Sequence, residues 1–282
     1  MCKPVLRLAV AAVLAPAGGF AFAGTLFTNG PVVTDPTGGT GPVAGLPISQ
    51  ADPFPFGPGL VATTSGVGAT QSLGGAAADN FTVPAPGWDL ESLTLYAFRN
   101  NVSTPFVDSI HINLWTQAPY SAASPGSVPS PLPVPLLAQP LVVPAGEGTL
   151  VAYRQGTGTD SAARPIFAYT VSLAGLPNGG ELPAGEYWLE FSFKDDDAPG
   201  SNIFTPLVSP REAAFDYNAR QLAVPFFGSP VVWFEGREGY QNEANPGRAY
   251  ALPFELGGTV VPEPALLGLV PAGVLSMRRR RR

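Results

Sequence analysis

Ser109–Thr116 reads SIHINLWT, and its alternation decides the fold class. Ile110, Ile112 and Leu114 fall on one side of an extended chain, and His111, Asn113 and Trp115 on the other. That period of two belongs to a half-buried strand, since a helix would bring its apolar residues round every three or four positions. The same grammar recurs in both directions. ESLTLYAF sets Leu93, Leu95 and Ala97 against Ser92, Thr94 and Tyr96. ELPAGEYWLEFSF places a Pro-Ala-Gly turn before Tyr187, Leu189, Phe191 and Phe193, with Trp188, Glu190, Ser192 and Lys194 opposite. TLVAYR, PIFAYTVSL, PVVWFEG and ALPFELGG are further strand candidates.

Composition agrees with this reading. The 282 residues include 33 Gly and 33 Pro, which supply turns, while 17 Phe, 8 Tyr and 4 Trp supply a core. Many short strands, frequent turns and no convincing helix predict an all-β body, a single antiparallel β-sandwich of jelly-roll type over residues 24–258. Within it, residues 24–60 are rich in Gly, Pro and Thr and are expected to be irregular. Residues 117–145 read as a Pro-rich loop. Eight prolines lie from Pro119 to Pro144, and proline cannot donate the hydrogen bonds a central strand needs. A polyproline-like surface crossing is expected there rather than a motif for a proline-binding partner.

The two ends differ from the body. Lys3 and Arg7 precede an apolar stretch from Leu8 to Ala15, and small residues stand at Ala21 and Ala23. This is the layout of a secretory signal peptide over residues 1–23, cleaved after Ala23. Cys2, the one cysteine, lies ahead of the apolar stretch, so the mature chain is expected to fold without disulfides.

The last 22 residues are VPEPALLGLVPAGVLSMRRRRR, Val261 to Arg282. The apolar run 265–277 would be about 20 Å long as a helix, against a hydrocarbon core of about 30 Å. Alone it is short for a span. Arg278, Arg279, Arg280, Arg281 and Arg282 can snorkel along the acyl region, and clustered arginines stay on the cytoplasmic side as a stop to transfer. A short C-terminal transmembrane helix is therefore expected, with the body outside. Pro262 and Pro264 keep the preceding segment extended and deny it helical hydrogen bonds, which is the form a protease accepts.

Val261, Pro262, Glu263 and Pro264, followed by that apolar segment and the arginine cluster, resemble the PEP-CTERM sorting signal of bacterial exported proteins. On this resemblance residues 259–282 are a sorting region with its motif at 261–264. ADNFTVPAPGW (Ala78 to Trp88), LPAGEYWLEFSF (Leu182 to Phe193) and LPFELGG near the end are also similar to phrases of such proteins. The resemblance implies exosortase as a partner, the inner membrane as a transient anchor and cysteine-transpeptidase processing, in a setting that often includes exopolysaccharide. Pro271, within the apolar run, departs from the pattern and would weaken anchoring.

Charge bounds the partners. Loss of Lys3, Arg7 and the five terminal arginines leaves 8 basic residues, loss of Glu263 leaves 20 acidic ones, and the mature body stands near −12. Nucleic acid is disfavoured.

Chemistry in the body is sparse. His111 is the single histidine, so neither a His metal cluster nor a conventional triad is readily assembled, and GxSxG does not occur. No cofactor is expected. Asp195, Asp196 and Asp197 form an acidic turn that offers a calcium candidate without EF-hand spacing. Glu186, Glu190, Glu235 and Glu238 are available for glycoside cleavage, which needs two carboxylates at a defined separation. Trp115 and Trp188 are candidates for stacking on sugar rings, whereas Trp233 reads as core. The sequence thus points to a non-enzymatic exported surface or extracellular-matrix protein associated with polysaccharide. The alternative is a secreted hydrolase with an unrecognised carboxylate site.

Overall fold

A computed structural model describes residues 24–49, 66–120, 133–154, 164–207, 219–223, 232–235, 237–238, 248–249 and 251–262. In chain order, β1 (Thr25–Thr28), β2 (Ile48–Ser49) and β3 (Gly66–Gly68) precede two long strands, β4 (Ala76–Val83) and β5 (Trp88–Phe98). β6 (Ser109–Trp115), β7 (Leu141–Pro144), β8 (Thr149–Arg154) and β9 (Pro165–Ser172) follow, then the short β10 (Glu181–Leu182) and the long β11 (Gly185–Lys194). β12 (Phe204–Pro206), β13 (Arg220–Ala223), β14 (Val232–Glu235), β15 (Arg237–Glu238) and β16 (Arg248–Ala249) lead to β17 (Phe254–Val260). The chain is all-β.

Two sheets dominate. The first has nine strands among the described residues, with the path β1-β17-β5-β9-β8-β2 and with β10, β12 and β3 attached to it. The second has six, in the order β14-β13-β4-β11-β6-β7. Every pairing between these strands is antiparallel except β2 with β8, which is parallel and therefore corrects the wholly antiparallel expectation.

The alternation read from the sequence sets the register. Ile110, Ile112 and Leu114 of β6 meet Phe193, Phe191 and Leu189 of β11 on one face, and all six are buried in the main core. Leu93, Leu95 and Ala97 of β5 face the same core from the first sheet. Phe81 of the second sheet lies among aromatic rings of the first, with centroids 5.9 Å from Phe27, 6.3 Å from Trp88 and 6.2 Å from Phe254. One core therefore joins the two sheets, and each fully buried ring contributes roughly 1.5–3 kcal/mol of transfer free energy.

Three boundaries are corrected. The stretch 24–60 contains β1 and β2, so it is not wholly irregular. The Pro-rich stretch 117–145 ends in β7, which pairs with β6 as the outermost strand of the second sheet. Proline is admitted there because Pro144 needs no partner for a missing N–H on an edge strand. Finally, β17 runs to Val260, two residues beyond the expected end of the body. The expected signal peptide over residues 1–23, residues 121–132 of the loop, and Glu263 to Arg282, which include the expected membrane helix, lie outside the described residues. Among those described, no helix is long and apolar enough to cross a membrane.

Candidate functional site

The described body has three places where function-bearing residues gather: the end of the sheets where the tail leaves, the outer face of the second sheet, and a cleft at the opposite end.

The first is built by β1, β5, β10 and β17. Thr25 pairs with Gly257, and the Gly258 N–H donates to the Gly24 carbonyl at 3.1 Å. Val260 pairs with Trp88, which pairs on its other side with Leu182. The Val261 N–H then donates to the Gly87 carbonyl at 3.0 Å. Gly87 turns the chain between β4 and β5 at φ +127, a conformation that side chains resist, and a Cβ there would stand 2.8 Å from the Leu182 carbonyl. Gly258 sits opposite a bulge in β5, where Glu91 is the extra residue, and a Cβ on Gly258 would fall 2.1 Å from the Asp89 carbonyl. The sequence phrases around Pro84–Gly87, Leu182–Gly185 and Leu252–Gly258 therefore meet in space. Of the expected sorting motif, Val261 is half-buried and Pro262 is exposed, while Glu263 and Pro264 lie outside the described residues. Gly24, the first residue after the expected cut at Ala23, is exposed beside them.

A buried carboxylate fastens the opposite ends of β1 and β17. Asp79 is 2% exposed and points to the core side of β4. Its Oδ2 accepts from Asn29 Nδ2 and from the Leu252 N–H, both at 2.8 Å, and its Oδ1 accepts from the Asn80 N–H at 2.8 Å. Asn29 follows β1 and Leu252 precedes β17, so one side chain ties both terminal strands to the second sheet. A lone acid in the core-facing phase of AAADNFTV was the signal for it.

On the outer face of the second sheet, Trp188 of β11 registers with Trp115 of β6. Trp188 is only 7% exposed and Trp233 5%; they cluster with Ala76 and Ala78. Those alanines explain an otherwise weak strand sequence, because methyl groups leave room for the indoles. Trp188 thus lacks a free ring face, and the sugar-stacking expectation finds no support there. Trp115 is half-buried, and its Nε1 donates to Glu190 Oε2 at 2.6 Å. Burial pushes the Glu190 carboxyl above its ordinary range, and the indole bond partly opposes this. Across the same face, His111 registers with Ser192. Burial, and then the Lys194 charge, hold its imidazole below the usual value. The backbone of Glu235 lies three strand spacings from that of Glu190, roughly 14 Å, through Arg220 and Ala78. Glycoside cleavage places its carboxyl groups about 5–9.5 Å apart. Glu186 is exposed four residues along β11, about 13 Å away, and Glu238 lies in β15, outside the two main sheets.

At the far end of β5 and β11, a cleft of about 510 Å³ is lined by Arg99, Thr104, Phe106, Asp108, Glu147 and Asp197, among others. Arg99 forms an ion pair with Asp195, and its guanidinium lies 4.9 Å from the centre of the Phe106 ring. The other oxygen of Asp195 accepts from the Asp197 and Ala198 N–H groups, both at 2.9 Å. Asp196 pairs with Lys194 at 2.6 Å. Asp195 and Asp196 are thus engaged within the protein, and no group of three or more metal-ligating side chains among the described residues is arranged to hold an ion. Arg99, which closes this turn through Asp195, had no sequence signal of its own.

Compared with known proteins, the chain matches no family model, no curated protein and no solved structure.

Proposed function

We propose that this is an exported, non-enzymatic cell-surface or extracellular-matrix protein whose C-terminal signal is read by exosortase, with polysaccharide as its surroundings. In this reading the body is a β-sandwich of jelly-roll kind, and residues 265–277 are a short membrane helix used as a transient anchor. The single observation that carries it is the three-part order of the tail: Pro262-Glu263-Pro264, then an apolar run, then five arginines. Support comes from the exposure of Pro262 directly after the last strand, where an extended peptide is accessible to an enzyme. The non-enzymatic part rests on the outer face of the second sheet. There the carboxylate with the most unusual environment, Glu190, bonds an indole and stands far from Glu186 and Glu235 along the backbone.

The test replaces Arg278 to Arg282 by serine. The apolar run should then lose its stop, and trimmed protein should fall at least tenfold outside the cell. Equal export and trimming without the arginines would contradict the reading. The hydrolase alternative is favoured only by release of product from a polysaccharide that disappears in Glu190→Gln.

A further inference from the structure

This inference rests on the reading of the tail as a processed signal. We propose that the end of the body where β1 begins and β17 ends is its processing pole: both cuts fall there, and paired backbone through Val261 confines the C-terminal cut to bonds beyond that residue.

The antiparallel pairing of β1 with β17 carries the first half. Gly24, the first residue expected after signal-peptide removal, is bonded to Gly258 at 3.1 Å, so the start of the mature chain and the end of its last strand share one corner. The two membrane-directed segments are therefore joined to neighbouring positions. A body tethered at both can complete its sheet before either tether is removed.

The hydrogen-bond pattern carries the second half. A protease takes its substrate extended, with backbone groups available for pairing. From Phe254 to Val260 the chain is paired with β5, and Val261 continues this through its bond to Gly87. Docking these residues in another enzyme would require peeling β17 from between β1 and β5, against the Asp79 clip near its start and the Gly258–Gly24 hydrogen bond near its end. Pro262 is exposed and has no N–H to hold it. Only Glu263 and Pro264 separate it from the apolar run that starts at Ala265, and the three Cα steps would reach about 10 Å at full extension. The enzyme is therefore offered a short strip between the folded pole and the bilayer.

Intact mass of the trimmed protein tests this, using the native chain and a version with six Gly and Ser residues inserted between Val261 and Pro262. The native product should begin at Gly24 and end at Pro262 or later, and the second product should be heavier by the whole insertion. A trimmed native product ending at Val261 or earlier, or an insertion that leaves the mass unchanged, overturns the proposal while leaving the sorting reading intact. Untrimmed protein with all five arginines overturns both.

Discussion

Asp79 shows how much one side chain can organise. Its carboxylate gathers donors from the segment after β1, from the segment before β17 and from its own strand, so residues about 50 and 173 positions away are fixed by one acceptor. Asp79→Ala should lower stability by about 2–4 kcal/mol, because buried donors lose a charged acceptor. Urea unfolding measures this, and a loss below about 0.5 kcal/mol would remove Asp79 from its role. Glu190 and His111 act in opposite senses with pH. Burial raises the Glu190 value, so the fold favours its protonated form; that stability is full below the unfolded value of 4.5 and declines as pH rises through the higher folded value. Burial lowers the His111 value, so its contribution is present above the unfolded value of 6.5 and is lost as pH falls below it. Glu190→Gln should therefore raise the melting temperature at pH 7 and not at pH 4. An equal effect at both would show that the carboxyl charge is irrelevant. Trp188→Ala should cost about 3–5 kcal/mol as a buried aromatic and leave retention on polysaccharide unchanged.

At the scale of elements, β4 and β17 tell different stories about what a sequence discloses. The strands with clean alternation, β5, β6 and β11, were legible because one face carried Leu, Ile and Phe and the other carried polar groups. β4 was not legible as a strand, since Ala76, Ala77 and Ala78 give no alternation. Ala76 and Ala78 acquire meaning only beside Trp188 and Trp233, which come from strands more than 100 residues later. β7 was hidden by prolines that an edge position tolerates. Of the candidate residues, Val261 and Pro262 follow directly on β17, whereas Trp188 is buried and Asp195 is paired with Arg99. A sequence shows which face a residue occupies, and here the covering of that face came from distant segments. β17 is held on both flanks, and opposite the β5 bulge at Glu91 the close approach of the Asp89 carbonyl favours glycine at 258. Gly258→Ala would push a methyl group against the Asp89 carbonyl, a backbone atom that cannot move aside freely. Thermal unfolding should show a loss of about 1–3 kcal/mol. An unchanged melting temperature would mean that this end of β17 is loosely held.

At the scale of the molecule, the two ends of the body divide its features. The corner of Gly24, Gly87 and Val261 holds both expected cut sites, and the cleft of Arg99, Phe106 and Asp195 lies at the other end of β5, about 35 Å away along an eleven-residue strand. A body anchored by its tail would turn that cleft away from the membrane. Its charge near −12 after loss of both ends would keep copies apart in solution and away from nucleic acid. The most direct test of the whole account is the intact mass of the protein recovered from outside the cell. The account expects a chain that begins at Gly24 and lacks Arg278 to Arg282. A recovered chain that still carries those arginines would contradict it.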